Sequence, residues 1–74
     1  MKVKGYNLRI GDVIRIDFGG EDYSITLIVD AIVIRIGEDM NLNVCGHYPN
    51  SNRMISCYGK SDNDVEVIER GRHE

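Results

Sequence analysis

The chain has 74 residues, which leaves room for one domain and one small core. Its formal net charge is -3. A large nucleic-acid footprint is therefore not expected, because phosphate binding requires a surplus of Lys and Arg on one face. A domain this short buries only ~60% of the surface that its unfolded chain exposes, so a partner surface could contribute to its stability.

The first residues carry charge but lack the apolar stretch of a signal peptide, and no apolar run reaches the roughly 18 residues that span a bilayer. The 2 cysteines, without a secretory signal, favour a reducing compartment. We therefore expect a cytoplasmic protein with no membrane partner. Residues 1–74 are expected to form a single domain, with 1–11 as a lead-in segment and 69–74 as a frayed, charged tail.

The first regular pattern is a pair of strands joined by a turn. Residues 12–18 alternate apolar and polar side chains, and residues 23–30 follow the turn GGED as a second strand. Symmetric closure of this hairpin predicts three apolar cross-strand pairs: Phe18 with Tyr23, Ile16 with Ile25, and Ile14 with Leu27. A slip of one residue would turn all of these side chains to solvent, so the register should be strongly specified.

The apolar pattern changes phase inside the longest hydrophobic stretch. Up to Val29 the apolar face falls on odd-numbered residues, and from Ile32 it falls on even-numbered ones. The switch lies at Asp30 and Ala31, where a β-bulge or a sharp bend would take up the extra residue. We therefore predict one long bent strand that serves two halves of a barrel.

A second hairpin is predicted about the turn Gly37-Glu38-Asp39. Folding about this turn predicts three further apolar pairs: Ile36 with Met40, Ile34 with Leu42, and Ile32 with Val44. Residues 53–58 and 65–68 are expected to form the last strands, with Val65 and Val67 facing inward. Because no segment has helical apolar spacing with a cap, the expected fold is all-β: a small five-stranded, strongly bent antiparallel meander that closes into a barrel.

The segments GDVIRIDF, SITLIVDAIVIRI and VEVIE together resemble the strand pattern of SH3-like small barrels. No motif singles out a family within this superfold. SH3-like barrels serve as peptide binders, RNA binders, chromatin readers and subunit adaptors. The resemblance therefore implies a fold and leaves the function open.

Two groups of residues are candidates for contact with a partner. His47, Tyr48, Arg53 and Tyr58 are predicted to bind a partner, because aromatic residues beside an Arg are enriched at interface hot spots. The alternative for the two tyrosines is that their rings cap the end of the barrel, with only the hydroxyls exposed.

A second apolar face forms the other candidate group, made of Ile28, Ala31 and Val33. One face of a sheet in so small a domain normally meets water. Either the lead-in segment covers these side chains or another chain does. Coverage by another chain predicts a homodimer or a stable complex with a different protein.

Metal binding and catalysis have little support in the sequence. Cys45, His47, Cys57 and His73 are the soft-ligand candidates, but their spacing lacks the close pairs of a zinc site. A hairpin folded about Ser51 would place the two cysteines opposite each other, in contact or in a disulfide. No Ser or Cys nucleophile accompanies the histidine in a recognisable motif, so we predict no metal, no cofactor and no enzymatic activity.

These expectations favour a non-enzymatic module that binds a protein partner, as an adaptor or an inhibitor of the kind that phages and mobile elements encode. Acidic turns could form a rim that engages a basic partner. One alternative is a barrel that binds single-stranded RNA through Tyr48, Arg53 and Tyr58, although the net negative charge of the chain disfavours a nucleic-acid partner. Another is a small-molecule or nucleotide site at a subunit interface, using Arg15, Arg35 and Arg53.

Overall fold

The computed structural model of the protein describes residues 1–17 and 24–71. In this part of the chain, all regular structure is extended except for a turn of 3₁₀ helix at Gly5–Asn7. The strands are β1 (Lys2–Lys4), β2 (Val13–Asp17), β3 (Ser24–Ile34), β4 (Leu42–His47), β5 (Met54–Gly59) and β6 (Asp64–Glu69). The described residues hold no helix with the length and apolar content that crossing a bilayer requires.

The six strands of the described residues form one antiparallel sheet in the order β1-β6-β2-β3-β4-β5. The predicted all-β class is confirmed, but the predicted number of five strands is wrong. The additional strand is β1 in the lead-in segment, where Val3 lies opposite Val65 of β6. The sheet is open in this hydrogen-bonding order, with β1 and β5 at its two ends.

The first predicted hairpin is confirmed by the register of β2 and β3. Ile14 lies opposite Leu27 and Ile16 lies opposite Ile25. The third predicted pair, Phe18 with Tyr23, lies outside the described residues.

The predicted phase change in β3 is also confirmed. The register between β3 and β4 shifts between Val29 and Ala31, so the extra residue is taken up as a bulge. On the β2 side, Val29 donates a backbone hydrogen bond of 2.9 Å to the carbonyl of Asp12 and accepts one of 2.8 Å from Gly11. The long strand is therefore held at its bend from both neighbours.

The second predicted hairpin is confirmed within the strands but not at its turn. Ile34 lies opposite Leu42 and Ile32 lies opposite Val44. Ile36 was expected to face inward with Met40, yet its side chain is 99% exposed. The ladder ends at Ile34, and beyond it no opposing layer of the described residues covers the turn.

The core occupies the concave side of the bent sheet. Its fully buried apolar members are Leu8, Ile14, Leu27, Val29, Leu42, Val44 and Val67. Val65, predicted to face inward with Val67, is partly buried and packs against this cluster. The chain after β6 is tied back to the fold, since the N–H of Gly71 donates a 2.6 Å hydrogen bond to Asp12 Oδ1. Residues 72–74 lie outside the described residues.

Candidate functional site

The second half of the sheet turns one face away from the core, and we call it the outer face. Alternation along β3, β4 and β5 decides which side chains it carries, because neighbouring residues of a strand point to opposite sides. The register defines its three rows: Val33–Asn43–Tyr58, Ala31–Cys45–Ser56 and Ile28–His47–Met54. Five predicted site residues from three separate segments therefore share one face.

The outer face carries more exposed apolar side chains than is usual for a sheet surface in water. Val33 is 43% exposed, Tyr58 is 63% exposed and Met54 is 65% exposed. Ala31 is exposed as well, whereas Ile28 is only half-exposed. Sequence reasoning missed Met54, although its alternation with Ser56 and Tyr58 would have placed it on this face.

Two of the predicted binding residues, Tyr48 and Arg53, lie outside the three rows of the outer face. Tyr48 is partly buried and packs against the core, as the capping alternative for this ring requires. Its N–H donates a hydrogen bond of 3.3 Å to the carbonyl of Arg53, which closes the β4–β5 hairpin. Tyr58 lies opposite Asn43, near the other end of that hairpin. The structure therefore does not bring Tyr48, Arg53 and Tyr58 together as one stacking platform.

The turn between β3 and β4 adds a second apolar surface, and we call residues 34–40 the hairpin tip. Ile34, Ile36 and Met40 are exposed by 45%, 99% and 52%. The N–H of Arg35 donates a 2.8 Å hydrogen bond to the carbonyl of Asn41, so the tip begins where the ladder stops. Val33 and Tyr58 lie at the same end of the sheet, so the tip and the outer face are continuous.

The charges at the hairpin tip are acidic on balance. Glu38 and Asp39 are both exposed, and Arg35 Nη1 lies 3.9 Å from Glu38 Oε2 in an exposed ion pair. An exposed pair of this kind contributes little to stability. The tip thus presents apolar side chains next to a net negative charge.

His47 makes the shortest polar contact among the described side chains of the outer face. Its Nδ1 lies 2.7 Å from Oδ2 of Asp30, the residue at the bulge. A carboxylate on Nδ1 can orient an imidazole for base catalysis, but a nucleophile must then meet the other ring nitrogen. In the described residues no Ser or Cys side chain hydrogen-bonds to His47. The Sγ of Cys45, two residues away, lies 3.3 Å from Ser56 Oγ and 3.6 Å from Asn43 Oδ1.

The expectation that Cys45 and Cys57 face each other is wrong. The β4–β5 hairpin pairs Cys45 with Ser56 and Val44 with Cys57, one residue away from a fold about Ser51. The two thiols consequently lie on opposite faces of the sheet, and both are free. Burial raises the pKa of the Cys57 thiol, and the electrostatic influence of Cys45 raises it further. Among the described residues, no cluster of three His, Cys, Asp or Glu side chains could hold a metal ion.

A cleft of about 650 Å³ opens on the concave side of the sheet, between β5 and the strands β2 and β6. Its apolar wall includes Ile14, Val44 and Ile55. Arg15 lies at its edge, where its Nε is 3.3 Å from Asp17 Oδ1. The three arginines considered for an anion site are on β2, at the hairpin tip and at the β4–β5 loop, so they do not converge.

Comparison of the chain with models of protein families, with curated proteins and with solved structures gave no match. The interpretation of the site therefore depends on its residues and their geometry.

Proposed function

We propose that this chain is a non-enzymatic interaction module that binds a protein partner through the hairpin tip and the adjoining outer face. The observation that carries this proposal is the side chain of Ile36, which is 99% exposed at the end of the longest hairpin. Ile34 and Met40 on the same tip, and Val33 at the adjoining end of β3, are exposed as well. Contiguous apolar surface of this kind on a small domain marks an interaction site, since water contact with it is unfavourable.

The charge around the tip selects the kind of partner. Glu38 and Asp39 flank the apolar side chains, and the chain as a whole carries a net charge of -3. We infer a partner protein with an apolar groove rimmed by Lys and Arg, because opposite charges at the rim speed encounter and fix orientation. An adaptor or an inhibitor that occupies such a groove fits this chemistry, in the cytoplasm where free thiols persist.

The proposed fold for this module remains the SH3-like barrel. The bend of β3 at its bulge supports it, as does the return of β6 to lie beside β2. Closure would require β5 to approach the opposite end of the sheet across the cleft. Separation of Tyr48 from Tyr58 weighs against the single-stranded RNA alternative, which needs neighbouring aromatic rings.

The test is affinity capture from a lysate of the native host with three immobilised proteins: wild type, Ile36→Ser and Ile68→Ser. Ile68 is also more than half exposed but lies on β6, so its substitution is a matched control. We expect wild type and Ile68→Ser to retain the same stoichiometric protein, and Ile36→Ser to lose it. Raising the salt concentration should reduce the amount of this protein that wild type retains, because salt screens the charges at the rim. Equal retention by all three proteins, or no stoichiometric partner on wild type, would contradict the proposal.

A further inference from the structure

The two ends of the sheet differ in how they are protected against pairing with another strand. In the described residues, β1 and β5 each have a neighbour on one side only. β1 has 3 residues, and two of them are the lysines Lys2 and Lys4. Short length and exposed lysines are the usual means by which an edge strand is kept from self-association.

Strand β5 carries neither of these features, and none of the described strands pairs with its outer edge. Its sequence, MISCYG, contains neither a charged residue nor a proline. It pairs with β4 over all 6 residues without a register shift, so no bulge twists its outer edge away. A regular, uncharged edge offers its free N–H and C=O groups as a template for another strand.

The pattern of β5 is also complementary to itself. In an antiparallel pair of two β5 strands centred on Ser56, Met54 lies opposite Tyr58 of the partner subunit. Ile55 then lies opposite Cys57 of the partner subunit, so apolar side chains meet on both faces. Arg53 lies opposite Gly59 of the partner subunit, so no like charges are paired at the ends. A register shifted by one residue would set outer-face side chains opposite inner-face ones and is disfavoured.

We propose that β5 pairs with the β5 strand of a second copy of this chain, antiparallel and about a twofold axis at Ser56. The two sheets then become one continuous sheet, and the contact is isologous, as closed dimers require. This interface adjoins the outer face at Met54 and Tyr58 but does not involve residues 34–40, so a dimer can present two hairpin tips to partners. The inference does not depend on the proposed partner site, because it rests on the edge strand alone. It is an alternative to closure of the barrel through β5, because the one free edge of that strand cannot pair both with the opposite end of the sheet and with a second copy.

The experiment is sedimentation velocity on the full chain over a range of concentrations, with substitutions at the axis. Ser56 is exposed, so Ser56→Lys and Ser56→Glu should leave the fold intact. In a dimer, each would set two like charges directly opposite each other, which is destabilising. Both variants should sediment as monomers at concentrations where wild type is a dimer. An equimolar mixture of the two should recover the dimer, because the opposed charges are then complementary.

Ser56→Ala is the matched control. It removes the same 3.3 Å contact with the Cys45 thiol without adding a charge, and it should remain a dimer. Circular dichroism of every variant should match wild type. A monomeric wild type at millimolar concentration would overturn the proposal. So would dimers that persist in Ser56→Lys and Ser56→Glu, or a mixture of the two that stays monomeric, since each of these results removes β5 from the interface.

Discussion

The backbone N–H of Gly71 donates a hydrogen bond of 2.6 Å to Oδ1 of Asp12, whose side chain is fully buried. Oδ2 of the same carboxylate accepts a 2.8 Å hydrogen bond from the N–H of Arg9. The Nε of Arg70 lies 3.5 Å from Oδ1. One carboxylate thus joins the turn before β2 to the chain that follows β6, some sixty residues later.

Asp12→Ala should lower the free energy of unfolding by about 2–5 kcal/mol, because it leaves two N–H groups and a guanidinium without their acceptor. Asp12→Asn should cost less, since an amide keeps one acceptor oxygen. Urea unfolding measures both values. Asp62→Ala, in an exposed loop, is the control and should stay within about 0.5 kcal/mol of wild type. A wild-type midpoint for Asp12→Ala would show that this carboxylate does not hold the two segments.

Two glycines of the β4–β5 hairpin should respond in opposite ways to alanine. A Cβ at Gly46 would overlap the carbonyl oxygen of Ile28, at the place where β3 bends. Gly46→Ala should therefore lower the free energy of unfolding by about 1–3 kcal/mol. A Cβ at Gly59 meets nothing within 4 Å. Gly59→Ala should be neutral or stabilising by up to about 1 kcal/mol, because it restricts the unfolded chain.

Both glycine variants are compared by denaturant unfolding at one fixed protein concentration. Similar losses for Gly46→Ala and Gly59→Ala would contradict a close approach of β4 to the bend of β3.

A core leucine and an isoleucine at the hairpin tip should differ sharply in their contribution to stability. Leu27 is 0% exposed at the centre of the sheet, and Leu27→Ala should lower the free energy of unfolding by about 2–5 kcal/mol. Ile36→Ala removes several methyl and methylene groups. The free energy of unfolding of this variant should nevertheless stay within about 0.5 kcal/mol of wild type, because the Ile36 side chain is already in water. Thermal unfolding at low concentration separates the two cases. A large loss for Ile36→Ala would mean that the tip packs against the domain.

The Cys57 thiol should react slowly in the folded protein. Burial raises its pKa, so less of the reactive thiolate is present at neutral pH. In a Cys45→Ser background, iodoacetamide should alkylate Cys57 several-fold more slowly in buffer than in urea. Equal rates in the two solvents would show that Cys57 is not shielded by the sheet.

The same thiol predicts a pH dependence of stability. Because the folded-state pKa of Cys57 is raised, its contribution is fully present below the ordinary thiol pKa of about 8.5 and is lost as the pH rises through the folded-state value. The free energy of unfolding should therefore fall more steeply above about pH 8 for wild type than for Cys57→Ala. Parallel pH curves for the two proteins would contradict this prediction.

Local patterning determined much of the sheet. The alternation in β2 and β3 predicted the pairing of Ile14 with Leu27, and the phase change at Asp30 predicted the bulge. Both follow from a period of two, which a strand must keep if one of its faces is buried. The grouping of Ala31 and Val33 as a surplus apolar face has the same origin.

Tertiary structure alone decided the features that depend on distant segments. β1 could not be predicted from the lead-in, because its three residues become a strand only by pairing with β6. A single-residue difference in the β4–β5 turn sent Cys45 and Cys57 to opposite faces, and no local signal specified that turn. The buried carboxylate of Asp12 accepts a hydrogen bond from Gly71, which is distant in the sequence. Ile36 is exposed because no opposing layer of the described residues covers it. Alternation reports which way a side chain points, whereas burial depends on which segment arrives to cover it.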